Sequence, residues 1–322
     1  MAAEPFDLQG RRVWVAGHGG LVGSAIVRRL ARENCEVLTA PREVDLRNQA
    51  LTESWLERNR PEAIFMAAAK VGGIAANNTM RGEFIYDNLA MATNVIHAAH
   101  RFGVAKLMFL GSTCIYPRLA PQPLGEDTLL TGPLEPTNEP YAIAKIAGIK
   151  LAEAYRDQYG CDFISVMPTN LYGPGDNYHP EHSHVMAALL RRFHEAKVAG
   201  HGEVVVWGTG TPRREFLYVD DMADACVYLM RHYSGREMVN IGTGQDCSIS
   251  EIAALVARVV GFEGRLTYDT SRPDGTPRKL VDVRRLHAMG WRHKIPLYAG
   301  LTATYEQLAH YGFADFARAS RS

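Results

Sequence analysis

Cysteine is scarce in this sequence, and neither sign of charge is in excess. The 322 residues include only five cysteines, with no CxxC pair, and the 35 Lys and Arg side chains equal the 35 Asp and Glu side chains. An odd, scattered set of cysteines in a chain of this size excludes a disulfide framework and indicates reduced thiols. The balanced charge gives no sign of a nucleic-acid or anionic-membrane partner.

Long apolar runs are also missing. A membrane-spanning helix needs about 18 consecutive apolar residues, and the sequence contains no such run. Its first residues, MAAEPFD, do not form the basic segment and apolar stretch of a secretory signal. We therefore expect a cytoplasmic protein with no membrane partner.

The sequence also lacks any familiar spacing of metal ligands. His179, His182 and His184 lie close together, but no carboxylate or thiol stands beside them at a spacing typical of zinc sites. The cluster is compatible with surface histidines, and we expect no bound metal.

The first half of the chain alternates strand-like and helix-like segments. We expect strands at 13–16, 36–39, 63–67, 106–110 and 163–167, helices at 21–32, 51–58, 84–101 and 141–159, and a loop over 117–140. This alternation predicts an α/β fold, a doubly wound parallel sheet of the Rossmann type covered by helices.

After residue 170 the regular alternation ends. Residues 170–184 should be irregular, and we expect helices at 185–197, 219–231 and 249–260 with short strands at 204–207 and 238–241. The pattern predicts a smaller, interleaved α/β domain that binds the substrate. We place the cofactor domain at 8–170, which also receives roughly 216–245, and the substrate-binding domain at 171–215 and 246–322.

A glycine turn lies between the first strand and the first helix. Gly17, Gly20 and Gly23 stand in the run VAGHGGLVG. Glycine permits a tight turn and lets the backbone approach a pyrophosphate at the positive end of a helix. We expect these glycines, with Leu21 and Val22, to bind a dinucleotide; the alternative is a plain glycine-rich turn.

The end of the second strand selects the dinucleotide. NAD-binding proteins usually carry an acidic residue there, whereas a basic residue accommodates the 2′-phosphate of NADP. This sequence has no acid at the strand end and has Arg42 just beyond it, next to Glu43. NADP is favoured, unless Arg42 is only a surface residue.

Three side chains form a plausible set for reducing a carbonyl. Tyr141 and Lys145 are one helical turn apart, and Ser112 follows the fourth strand. The tyrosine can donate a proton to the carbonyl oxygen while hydride arrives from a nicotinamide, and we expect the Lys145 ammonium to stabilise its anion. Together with the glycine turn, this set resembles the extended short-chain dehydrogenase/reductase superfamily, whose catalytic residues would here be Ser112, Tyr141 and Lys145.

A second pair indicates proton transfer at carbon. Dehydratases of that superfamily carry an Asp-Glu pair after the serine, whereas this chain has Cys114. A thiolate at Cys114 and an imidazole at His184 suit the removal and return of protons on carbons that flank a ketone. The alternatives are a small buried cysteine and a surface histidine.

Five segments resemble the GDP-L-fucose synthase family over nearly the whole chain. They are AAAKVGGIAANN (67–78), GSTCIYP (111–117), EPTNEPYAIAKIAGIK (135–150), MPTNLYGP (167–174) and SRPDGTPRK (271–279). The resemblance implies double epimerisation of GDP-4-keto-6-deoxy-D-mannose followed by reduction with NADPH, in a protein that is typically a homodimer.

The resemblance also implies roles for individual residues. It makes Cys114 the epimerisation base, His184 its acid partner and Tyr141 the proton donor in reduction. It assigns Arg192, Trp207, Arg214 and Asp274 to the GDP-sugar, with Lys279 as a helper. The remaining residues that we expect at the cofactor are Leu110, Gly111, Ser112, Thr113, Lys145, Pro168, Thr169, Asn170, Leu171 and His184.

One position departs from the family. Some members carry an arginine in the glycine turn that helps to hold NADP, and this chain has Gly19 there. The departure weakens the preference for NADP over NAD. Two other functions stay open at this point, namely a related epimerase or reductase for another nucleotide keto-sugar and a non-catalytic NADP-binding protein.

Overall fold

A computed structural model describes residues 5–180, 183–272 and 274–311. The strands are β1 (Arg12–Ala16), β2 (Glu36–Leu38), β3 (Ala63–Met66), β4 (Lys106–Leu110), β5 (Asp162–Pro168), β6 (Asn170–Tyr172), β7 (Glu203–Trp207), β8 (Arg213–Tyr218), β9 (Val239–Ile241), β10 (Asp246–Ser248), β11 (Arg265–Asp269) and β12 (Arg278–Lys279). The α-helices are α1 (Leu21–Leu30), α2 (Gln49–Asn59), α3 (Ile74–Thr79), α4 (Arg81–Arg101), α5 (Glu139–Tyr159), α6 (Val185–Val198), α7 (Val219–His232), α8 (Ile249–Val260), α9 (Arg284–Ala288) and α10 (Leu297–Tyr311).

A parallel sheet of six strands forms the centre of the fold, in the order β2-β1-β3-β4-β5-β9. Its inner strands are almost continuously apolar because both faces of the sheet are buried. The chain leaves β1 toward β2 on one side and returns to β3 on the other. The order therefore reverses between β1 and β3, and ligands of such sheets bind at the carboxyl ends of strands beside this reversal.

Helices cover both faces of the central sheet. One core contains side chains of β1, α1 and α7, among them Ile26 and Met222. The other core lies between the sheet and α2, α4 and α5, and it includes Leu56, Ile96 and Ile149. The sequence prediction of a doubly wound α/β fold is confirmed.

A second group of elements packs around its own core. Strand β8 pairs with β6, β10 and β12, and β7 pairs with β11. Helices α6 and α8 contribute Phe193 and Val256 to a separate apolar cluster, and Leu301 of α10 joins it. This group carries four of the side chains expected at the substrate, namely Arg192, Trp207, Arg214 and Lys279.

Several local expectations need correction. The loop expected over 117–140 contains a short 3₁₀ helix, Glu126–Thr128, and α5 begins at Glu139. The segment expected to be irregular after residue 170 begins with β6, because Asn170–Tyr172 extend alongside Phe216–Tyr218 of β8. Within the described ranges, every helix is too short or too polar to span a membrane.

Candidate active site

Two glycines of the turn, Gly17 and Gly23, are packed too tightly for a larger residue. Gly17 has a φ of +87°, and a Cβ there would lie 2.7 Å from the backbone nitrogen of Ala68, which follows β3. A Cβ on Gly23 would lie 2.0 Å from the carbonyl oxygen of Gly17. The turn therefore brings the start of α1 directly to the point where the strand order reverses.

The N-terminus of α1 is suited to an anion. Gly20 stands at the N-cap without a capping side-chain hydrogen bond, and Leu21 and Val22 begin the helix. Uncapped N–H groups and the helix dipole attract a phosphate at such a terminus. Arg42 is exposed in the loop after β2 and makes no hydrogen bond or ion pair with any described residue, so its guanidinium is available to a ligand. These features fit the pyrophosphate and 2′-phosphate of NADP.

Further expected cofactor residues lie at the carboxyl ends of β4 and β5. Leu110 is the last residue of β4 and is followed by Gly111, Ser112 and Thr113; Pro168 is the last residue of β5 and is followed by Thr169 and, in β6, by Asn170 and Leu171. The Gly111 N–H donates to the Val166 carbonyl at 2.8 Å, and the Asn170 amide donates to the Glu215 carbonyl at 2.8 Å. Both segments thus lie on the ligand-binding edge of the sheet.

Ser112, Tyr141 and Lys145 come together as the sequence predicts. Tyr141 lies in the first turn of α5 and is hydrogen-bonded to Ser112. The Lys145 Nζ lies 5.9 Å from the centre of the Tyr141 ring and donates a hydrogen bond to the Leu110 carbonyl at 2.8 Å. Tyr141 is 9% exposed and Lys145 4%, so the proton-transfer groups are shielded from bulk water.

Burial shifts the pKa values of this group. It lowers the pKa of Lys145 to about 7. The pKa of Tyr141 is raised, chiefly by burial and then by negative charge at Cys114, while the hydrogen bond with Ser112 opposes the shift. The phenol is therefore held in the protonated form that an acid needs, and the role of Lys145 in stabilising its anion stays a prediction.

Cys114 lies beside the same tyrosine. It belongs to a short 3₁₀ helix, Thr113–Ile115, and packs against the apolar cluster that contains Tyr141. The Asn138 amide nitrogen lies 3.2 Å from its Sγ, and the Lys279 Nζ lies 3.6 Å from it. Two donors thus point at the sulfur atom.

His184 lies at the start of helix α6. It is the N-cap residue of α6, and its imidazole makes no hydrogen bond with any described residue. The residue is exposed, yet protein atoms crowd around the ring and the loss of surrounding water lowers its pKa. His182 lies outside the described residues, and the described ones contain no cluster of three or more His, Cys, Asp or Glu side chains that could hold a metal ion.

Two arginines lie against an exposed indole. The Arg192 guanidinium lies 4.0 Å from the ring centre of Trp207, and that of Arg272 lies 4.9 Å from it. Burial, and secondly the positive charge of Arg272, lowers the pKa of Arg192. Positive charge and an aromatic face are what a nucleoside diphosphate requires.

Arg214 links this region to Cys114. It stands opposite Lys279 in the parallel pair of β8 and β12, and its Nη2 donates to the Asp274 carbonyl at 3.4 Å. Burial lowers the pKa of the Arg214 guanidinium, and negative charge at Cys114 opposes that shift. The Asp274 carboxylate accepts hydrogen bonds from the N–H and hydroxyl groups of Thr209, both at 2.8 Å.

Two residues at this site were missed by the sequence reasoning. Asn138 contacts Cys114, and Arg272 contacts Trp207. Both lie inside segments on which the family resemblance rests, 135–150 and 271–279. An asparagine and an arginine within these segments could have been listed as candidate site residues. Only the fold shows that one contacts Cys114 and the other Trp207.

Comparisons with known proteins agree with this geometry. The family model for the NAD dependent epimerase/dehydratase family matches residues 13–242. GDP-L-fucose synthase of Sinorhizobium fredii (strain NBRC 101917 / NGR234) is 59% identical over 300 residues, which are 93% of this chain and 96% of that protein. GDP-L-fucose synthase 1 of Arabidopsis thaliana is 61% identical over 297 residues, 92% of each chain.

A solved structure extends the likeness to a cofactor complex. The GDP-L-fucose synthetase of Naegleria fowleri bound to NADP superposes with a TM-score of 0.88 at 27% identity, covering 96% of this chain and 97% of that one.

Proposed function

The chain belongs to the NAD-dependent epimerase/dehydratase family and, within it, to the GDP-L-fucose synthases, and from that membership we propose its reaction. It converts GDP-4-keto-6-deoxy-D-mannose to GDP-L-fucose by epimerisation at carbons 3 and 5 and NADPH-dependent reduction of the 4-keto group. One observation carries the proposal. Cys114, the proposed base of the epimerisation, and Tyr141, the proposed proton donor of the reduction, lie in one cluster.

Reduction uses the proton donor that the fold provides. NADPH, when bound along the glycine turn, supplies the hydride for carbon 4. Tyr141 gives its proton to the oxygen at carbon 4, and its raised pKa ensures that the proton is present. Ser112 hydrogen-bonds to Tyr141 and orients the phenol, while Lys145 is anchored on the Leu110 carbonyl directly beneath.

Epimerisation uses the ketone that reduction later consumes. The carbonyl at carbon 4 acidifies the hydrogens at carbons 3 and 5, and the Cys114 thiolate removes one as a proton. The electron pair moves to the carbonyl oxygen, and a proton added to the opposite face of the carbon completes the inversion. We assign this second role to His184 from the family resemblance; desolvation lowers its pKa, so the imidazolium is the minor form at neutral pH and a strong acid once it forms.

Substrate binding relies on the cationic region beyond Cys114. Arg192 and Arg214 both have lowered pKa values because they are partly buried, and an anionic ligand compensates such desolvated charge. We assign the diphosphate of the GDP-sugar to these arginines and the guanosine part to the exposed face of Trp207. The keto-sugar then extends toward Cys114.

Three further expectations remain proposals. The five free cysteines fit a reducing compartment, which supports the cytoplasm. The homodimer rests on the family resemblance. We also retain the division into a cofactor domain, 8–170 with roughly 216–245, and a substrate-binding domain from 171–215 and 246–322, of which residues 312–322 lie outside the described residues.

The test is NADPH oxidation with GDP-4-keto-6-deoxy-D-mannose, followed optically, with NADH as the parallel cofactor. The expected result is faster oxidation of NADPH and a product identified as GDP-L-fucose by NMR. Bound NADPH without turnover of this substrate would refute the proposed substrate. A panel of other GDP- and UDP-keto-sugars would then identify which epimerase or reductase the chain is.

A further inference from the structure

Asn138 occupies a helix-capping position without capping the helix. It is the N-cap residue of α5, where asparagine is among the most favourable residues because its side chain accepts a backbone N–H of the first turn. Its side chain makes no such bond. Asn48, the N-cap residue of α2, accepts from the Leu51 N–H at 3.1 Å in the usual way. The side chain of Asn138 is therefore committed to another contact.

That contact is with the sulfur of Cys114. The Asn138 Nδ2 donates to Sγ at 3.2 Å, closer than the Lys279 Nζ at 3.6 Å. A hydrogen bond donated to a charged group stabilises that charged form. The amide is the nearer of the two donors and fixes the direction in which the sulfur points.

The other end of the amide is buried and unused. The Asn138 Oδ1 accepts no hydrogen bond from any described residue. Buried polar atoms almost always have a partner, so an orphan of this kind requires an explanation. Asn138 precedes Tyr141 by less than one helical turn, and its amide group, which carries the unpartnered Oδ1, contacts the Cys114 sulfur through Nδ2.

We propose that Asn138 is the positioning residue of the epimerisation step. Its amide N–H holds the Cys114 sulfur as a base, and its Oδ1 accepts a hydroxyl of the keto-sugar. The Asn138 amide thereby fixes both the base and the carbon from which the base removes a proton. This inference rests on the proposed function for the identity of the sugar, but the contact with Cys114 does not depend on it.

The proton balance leaves Asn138 unchanged. The C–H bond beside the ketone breaks, an S–H bond forms on Cys114, and the electron pair moves to the carbonyl oxygen. The carbonyl re-forms when a proton adds to the opposite face of the carbon. Asn138 neither gains nor loses a proton, so its effect is on the rate of proton transfer.

The first test measures Cys114 directly and needs no sugar. Iodoacetamide alkylation of each cysteine is followed by mass spectrometry at pH 7 in the wild type, Asn138→Ala, Asn138→Asp and Asn48→Ala. We expect both Asn138 variants to slow alkylation of Cys114 by about tenfold, the effect of one lost hydrogen bond to a charged group. Alkylation of Cys161 serves as the internal reference and should not change.

The control separates positioning from helix capping. Asn48→Ala removes a true cap, so it should lower Tm and leave Cys114 alkylation at the wild-type rate. Asn138→Ala should instead slow Cys114 alkylation and leave Tm nearly unchanged. Wild-type or faster alkylation in Asn138→Ala would overturn the proposal, since faster alkylation would mean that the amide favours the thiol.

The second test uses the keto-sugar. In Asn138→Ala, uptake of deuterium from D₂O at carbons 3 and 5 should fall about tenfold, and KM for the keto-sugar should rise because Oδ1 is lost. Unchanged deuterium uptake would contradict the inference. If wild-type enzyme fails to turn over this sugar while the alkylation difference persists, the proposed substrate is wrong and the role of Asn138 beside Cys114 stands.

Discussion

Cys114 and Tyr141 lie in the same cluster, and the pKa of the phenol is raised, chiefly by burial and secondly by negative charge on the sulfur. In the proposed mechanism Cys114 serves the epimerisation and Tyr141 the reduction. The two half-reactions would then share one site, and neither residue would have to leave its position between them.

Tyr141→Phe should separate these half-reactions. Loss of the phenolic proton should slow NADPH oxidation by roughly 10²- to 10⁴-fold, the usual contribution of a positioned general acid. Deuterium uptake at carbons 3 and 5 should continue, because Cys114 and His184 are intact. Tyr86→Phe, at a 66% exposed tyrosine on α4, is the matched control and should retain wild-type turnover. Equal loss of both activities in Tyr141→Phe would contradict separate roles.

Arg42→Ala should change the choice of cofactor. Its exposed guanidinium is the basic group that we place at the 2′-phosphate. Removing it should raise KM for NADPH about tenfold, equivalent to ~1.4 kcal/mol, and leave KM for NADH nearly unchanged. Arg58→Ala on α2 is the control for loss of a surface charge. If NADPH keeps its affinity in Arg42→Ala, another group binds the 2′-phosphate.

Gly23→Ala should damage the cofactor site. The added methyl would meet the Gly17 carbonyl oxygen at 2.0 Å, and backbone cannot yield as a flexible side chain does. We expect a lower Tm and loss of measurable NADPH binding. Gly82→Ala is the matched control, since its Cβ meets nothing within 4 Å and alanine is favoured by about 1 kcal/mol in a helix. An unaffected Gly23→Ala protein would show that the turn is not tightly packed.

The buried Asp176 carboxyl makes the stability of the fold depend on pH. Burial raises its pKa from 3.8 to about 7 in the folded chain. Between these values the folded state retains a proton that the unfolded state has lost, so the stability contribution is complete below about pH 4 and declines as pH rises to about 7. The full loss is roughly 4 kcal/mol at most.

Asp176→Asn removes this titration while keeping the shape of the side chain. Its Tm should exceed that of the wild type increasingly as pH rises from 5 to 8. Thermal unfolding at several pH values measures the difference. A constant difference across that range would mean that Asp176 is ionised in the folded chain at all of these values.

Much of the fold could be predicted because local sequence determines it. Strand β4 and helix α8 have the predicted bounds, and the glycine turn joins the predicted strand and helix. Strands β10 and β12 could not be predicted, since they contain only 3 and 2 residues and exist through pairing with β8. Helix α3 was missed because its sequence, IAANNT, contains no helical pattern of apolar residues.

The site, like the fold, could be predicted only where the residues concerned are close in sequence. Spacing on one helix was enough to bring Tyr141 and Lys145 together. The contact between Cys114 and Lys279 joins residues 165 positions apart, and only the fold can show it. The raised pKa of Tyr141 depends on burial and on the neighbouring sulfur, so a sequence-based expectation that considered only the lysine was incomplete.

In the proposed reaction one site epimerises two carbons and then reduces the ketone between them. The most direct test runs the wild-type reaction with NADPH in D₂O and examines the product by NMR. We expect deuterium at carbons 3 and 5 and hydrogen at carbon 4, which is delivered from NADPH. A reduced product without deuterium at carbons 3 and 5 would contradict it and would show a plain reductase.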